Sequence, residues 1–155
     1  MTEDAGVWKT GLRRVCYAKP SLSGLRGITA LASTDTVSVI VQTLAPGGRQ
    51  GLHAHGAYDG FYFVLAGRAR FYGKDDEFFA EIGPSEGVFV PRGTAYAFEA
   101  ADCEVQLLAI DGIDKTAKDT FVSYEAGSDV VNFEFFSPEG VRLSAQELRM
   151  DTGES

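Results

Sequence analysis

Apolar and polar positions alternate along most of this chain with a period of two rather than 3.6, the pattern of half-buried β-strands. An opening run, Val7 to Ala18, reads as a strand and ends at Lys19-Pro20-Ser21, since proline disfavours continuation. Leu25 to Ala32 is a second candidate, and Thr36 to Leu44 is clearer, nine residues rich in Val, Ile and Thr. Pro46-Gly47-Gly48 signals a turn into a hairpin whose apolar run, Phe61 to Leu65, stops at Gly67. Arg68 to Tyr72 alternates, with Arg68 and Arg70 on a solvated face and Ala69 and Phe71 directed inward. Beyond the polar turn Gly73 to Glu77, the runs Phe78 to Ile82, Gly87 to Val90, Thr94 to Glu99 and Glu104 to Ile110 complete about eight strands. Asp111 to Thr120 reads as a polar connection with one helical turn. Phe121 to Tyr124 and Val130 to Phe136 read as a further strand pair, and Ser144-Ala-Gln-Glu147 has the spacing of a capping box that starts a short C-terminal helix.

Eight short antiparallel strands suit an all-β, double-sheet jelly roll. The expected layout is an N-terminal arm with the first strands in residues 1–35, a barrel core in 36–112, and C-terminal strands with a short helix packed on the barrel in 113–155, one domain overall. A chain of 155 residues buries about 70% of its unfolded surface and needs no disulfide to fold. The formal net charge of −8 has the wrong sign for a nucleic-acid backbone or an anionic membrane, so neither is expected as a partner. No stretch approaches the ~20 apolar residues of a membrane span, and the acidic start lacks the pattern of a secretory signal, which points to the cytoplasm. Cys16 and Cys103 fit no disulfide framework or zinc motif and read as buried thiols of a reducing compartment. Arms of this kind often pair with a neighbouring subunit, and a homodimer is expected.

The chain holds two histidines, His53 and His55, both at the start of the hairpin. Two residues apart, they share a face on a strand but diverge on a helix, so only the strand lets them share a ligand. A converging imidazole pair is a common transition-metal site. Gly47, His53, His55 and Gly67 fall at the positions of the first motif of the cupin family, which this stretch resembles. Gly60 stands at the motif's glutamate, with Asp59 just before it. Ser85 to Phe98 is similar to the second cupin motif: Pro91 and Gly93 match, Ser85 replaces its leading glycine, and Tyr96 stands where the family has its fourth metal ligand. The resemblance extends over roughly residues 36 to 110 and implies a double-stranded β-helix, the jelly-roll barrel of cupins.

The resemblance further implies a divalent metal (Fe, Mn, Ni, Cu or Zn) on His53 and His55. Two candidates stand for a further ligand. Asp59 needs a β-bulge at Gly60 to turn it inward, since alternation points it away. Tyr96 occupies the expected position and serves either as a ligand or as a proton donor beside an open site. Tyr58, Tyr62, Phe89 and Phe98 are candidates for an aromatic pocket wall, and Arg49, which shares the parity of His53, for an anionic substrate group. Cupins include isomerases, lyases, dioxygenases and non-catalytic binders, so the fold alone does not choose. With the motif's carboxylate displaced, the preferred function is Lewis-acid isomerisation, cyclisation or elimination on a small oxygenated, aromatic or acidic organic molecule. The alternatives are a metal-free small-molecule-binding protein and a dioxygenase with Asp59 as third ligand.

Overall fold

In the computed structural model, residues 11–118, 122–123 and 133–144 are described. Among the described residues, eleven strands form two facing sheets. β1 (Arg26–Ser33) and β2 (Val37–Leu44) pair antiparallel, and β2 runs beside β9 (Val105–Ile113). β9 in turn pairs with β4 (Tyr58–Ala66), whose far side carries β7 (Gly87–Val90). The second sheet sets β3 (Arg49–Ala54) against β8 (Tyr96–Ala100), then β5 (Ala69–Tyr72) and β6 (Phe78–Ile82). Two short strands extend the sheets: β10 (Val122–Ser123) beside β3 and β11 (Glu134–Phe136) parallel to β1. The all-β double-stranded β-helix expected from the sequence is the fold the chain adopts.

The core lies between the sheets and follows from alternation. Tyr62 and Val64 of β4, Val105, Leu107 and Ala109 of β9, and Phe98 of β8 all face inward and are buried. Phe71 and Phe98 pack with tilted rings at 5.1 Å between centroids, each 1% exposed or less, and burial of such a ring contributes on the order of 2–3 kcal/mol. Gly67, which closes the hairpin, has φ +84°, and a Cβ there would collide with the carbonyl oxygen of Glu104.

Several expectations differ from the structure. Among the described residues, 11–25 form no strand. Residues 11–16 are exposed, and from Tyr17 the segment lies over the outer face of the six-stranded sheet, where the Tyr17 hydroxyl donates to Gln106 at 2.6 Å and Pro20 is fully buried. The two C-terminal strands do not pair with each other, because β10 joins one sheet and β11 the other. Nothing helical forms at Asp111, since β9 carries on to Ile113. Both cysteines are exposed rather than buried. The expected C-terminal helix and residues 1–10 lie outside the described residues. Among the described residues, no helix is long and apolar enough to cross a membrane.

Candidate active site

The histidines owe their placement to an irregularity. Between Gln50 and His53, β3 carries one residue more than β8 does between Phe98 and Tyr96, so a β-bulge forms at Gly51 and Leu52. Gln50 and His53 then face inward together, and His53, 3% exposed, sits directly opposite Tyr96. Its Nδ1 lies 2.7 Å from the Gly51 carbonyl oxygen; a carbonyl only accepts, so Nδ1 donates and the ring's lone pair is on Nε2. A backbone carbonyl holding the second nitrogen is the usual support of a metal-ligating imidazole.

His55 follows the end of β3, and the turn of the second motif holds it there: the Gly93 N–H donates to the His55 carbonyl at 2.7 Å. The His55 ring stacks on Tyr58 at 4.9 Å, and its centroid is 5.2 Å from that of His53. Tyr96 packs against His53 at 4.3 Å and shares a 2.7 Å hydroxyl–hydroxyl hydrogen bond with Tyr62. Burial pushes the Tyr62 hydroxyl well above the ordinary phenol value, and Tyr96 and Asp111 push it the same way. Tyr62 therefore stays protonated and is available as a donor to Tyr96.

His55 and Tyr96 border a small cleft that opens to solvent. His55, Tyr58, Tyr96 and Asp111 supply its polar wall, while Val90 and Pro91 close one side.

Asp111 is the residue that sequence reasoning missed. It continues the inward row Val105, Leu107, Ala109 of β9 and pairs with Gly60 across the β4–β9 ladder. A Cβ on Gly60 would lie 3.1 Å from Asp111 Oδ1, so this carboxylate reaches over the place where the motif's glutamate side chain would begin. The available signal was the period-two row itself, extended one step beyond Ala109 into what reads as a polar connection.

Other candidates stand elsewhere. Asp59 faces outward, because the β4–β9 register runs unbroken from Tyr58 to Val64 and no bulge forms at Gly60. Its carboxylate accepts from the Arg92 backbone N–H and from Nη2, both at 3.0 Å. Arg49 lies on the opposite face to His53, since the bulge breaks their shared parity; it pairs with Asp76 at 2.8 Å and lies over Tyr72. Phe89 is 63% exposed, its neighbours Val88 and Val90 taking the inward positions. Phe98 is fully buried against Tyr62 and Phe71 and fills the core rather than the cavity wall.

The chemistry of the donor set fits a divalent metal. Two imidazoles on one ion, each at about 2.1 Å, bring their centroids to roughly 5 Å, close to the separation seen here. Among the described residues, no three His, Cys, Asp or Glu side chains are already gathered as a metal site.

Two facing sheets, a paired-histidine strand and the Pro91–Gly93 turn beneath it make up a double-stranded β-helix, a fold shared with solved structures. The chain is similar to an uncharacterised double-stranded β-helix protein from Klebsiella pneumoniae at 15% identity and a TM-score of 0.59, covering 71% of this chain and 92% of that one. It is also similar to a cupin superfamily protein from Desulfitobacterium hafniense, with 24% identity, a TM-score of 0.53, and coverage of 61% and 83%. The protein KdgF from a Halomonas species aligns at 17% identity and a TM-score of 0.51, over 57% and 77% of the two chains. No family model and no curated protein matches the sequence.

Proposed function

We propose that this protein is a metal-dependent enzyme of the cytoplasm that moves a proton on a small oxygenated organic molecule, in an isomerisation, cyclisation or elimination. The observation that carries the reading is the buried Tyr62–Tyr96 hydroxyl pair, with Tyr96 packed against His53 and lining one cleft together with His55. His53 and His55 would hold the metal, with Tyr96 beside it. A bound divalent ion polarises a carbonyl or carboxylate oxygen and acidifies the adjacent C–H. Tyr96 would take that proton as the phenolate, becoming the neutral hydroxyl, and give it back to the substrate to restore the phenolate, whose oxygen the Tyr62 hydroxyl steadies by donating to it. Tyr58 and Val90 line the same cleft.

The same donors with iron bound would suit oxygen chemistry, and the hydroxyl pair is what favours the non-redox reading. Elemental analysis of untagged protein is expected to find close to one equivalent of a divalent transition metal, and none in His53→Ala or His55→Ala. Metal-free parent protein after reconstitution turns the assignment to a small-molecule binder. With metal in place, small keto and hydroxy acids in D2O are expected to exchange the hydrogen beside the carbonyl, read by NMR. Tyr96→Phe is expected to slow this exchange by about 10²–10⁴-fold while changing metal affinity far less.

A further inference from the structure

We propose that Asp111 supplies the carboxylate ligand of the metal site, arriving from β9 to take over from a glutamate that β4 does not have. The inference rests on the metal-site reading above and adds a residue and a strand to it. Three observations converge on this position. Gly60 is an inward-facing point of β4, in register with Tyr58 and Tyr62, and it bears no side chain. The residue paired with it across the ladder is an aspartate. Its Oδ1 stands 3.1 Å from where a Cβ of residue 60 would be. A larger residue at 60 would have to displace that oxygen, and a residue other than Asp or Glu at 111 would leave the wall of His55, Tyr58 and Tyr96 without an anion. The two positions read as one exchange: an acid moved from a strand to its hydrogen-bonded neighbour, at the same depth in the barrel.

Charge gives the exchange its reason. Two neutral imidazoles leave the full double charge of a divalent ion uncompensated, and in a half-buried cavity an anionic ligand offsets much of the cost of taking the ion from water. Asp59 is committed to Arg92 outside the barrel and cannot do this. Asp111 is the acid that lines the cavity. Among the described residues, Asp111, His53 and His55 are not gathered as a ligand set, so the carboxylate must turn toward the imidazoles on binding.

The test is a transplant. Parent, Asp111→Ala and the double variant Gly60→Glu/Asp111→Ala are stripped with chelator, checked for equal folding by circular dichroism and thermal unfolding, and titrated calorimetrically with Mn2+ and Zn2+. Asp111→Ala is expected to lose at least about 10-fold in affinity, and the double variant, with the acid back on β4, to recover most of it. Parent and Asp111→Ala within twofold of one another overturn the role of Asp111 and leave the histidine site standing. A folded double variant that binds no better than Asp111→Ala overturns the exchange. A parent that binds neither ion removes the metal site itself, and with it this inference. If Asp111→Ala does not fold, Asp111→Asn, which keeps the shape and drops the charge, takes its place under the same criteria.

Discussion

Ser85 shows how much a single residue says about its neighbours. It has φ +70°, a left-handed conformation in which a side chain is disfavoured by about 1–2 kcal/mol, and it stands where the second cupin motif carries glycine. The backbone has kept the motif's shape with a residue that does not favour it. Ser85→Gly is therefore expected to raise stability by about 1 kcal/mol, read as a higher denaturant midpoint at unchanged slope. Legibility at this scale was uneven. His53, His55 and Tyr96 were readable because ligand-type residues at motif spacing sit on strands of definite parity. Asp111 was not, because a charged residue ending an apolar row looks the same as the first residue of a loop. Arg49 and His53 share parity in the sequence and face opposite ways in the structure, since a bulge leaves no mark that distinguishes Gly51 from an ordinary strand residue.

At the scale of elements, the strands from β1 to β9 lie close to where alternation and turn residues put them, because each is bounded by local signals. The terminal segments were misread for the opposite reason: β10 and β11 find partners some 70 and 100 residues away, and no local pattern names a sheet. One cross-link between elements is chemical. Arg92, in the turn between β7 and β8, pairs with Asp59 of β4 at 3.0 Å and with Asp114, just past β9, at 2.9 Å. Hydrogen bonds from Arg92 hold the Asp59 carboxyl below its usual range; Asp114 is lowered to about 2, first by Thr116 and then by Arg92. Depressed carboxyl pKa values stabilise the fold above the ordinary value of about 4, and that contribution fades as pH falls toward the folded value. Arg92→Ala is thus expected to lower the melting temperature at pH 7, and the gap from the parent is expected to close between about pH 4 and pH 2. A gap that stays constant across that range would assign the loss to packing instead.

For the molecule as a whole, the outer face of the six-stranded sheet is unevenly covered. Residues 17–25 lie over part of it, while Phe61, Leu65 and Phe89 on β4 and β7 are 37%, 42% and 63% exposed. β7 is also the sheet's edge, so apolar side chains and unpaired backbone groups coincide there. This is the surface on which the expected homodimer is to be tested. Light scattering is expected to return twice the 16.7 kDa chain mass, falling to one chain in Phe61→Glu/Phe89→Glu; a parent that stays at one chain mass at high concentration removes the dimer.

The extra residue in β3 has a consequence that reaches beyond geometry. With Gly51 deleted, the strand would run straight and His53 would still face Tyr96, so every side chain named for the site would remain in place. The Gly51 carbonyl that receives the Nδ1 hydrogen would be gone, and with it the bond that assigns that nitrogen its proton. A flaw in the ladder thus decides a tautomer, and the reactivity of the ring is stored in the number of residues before it.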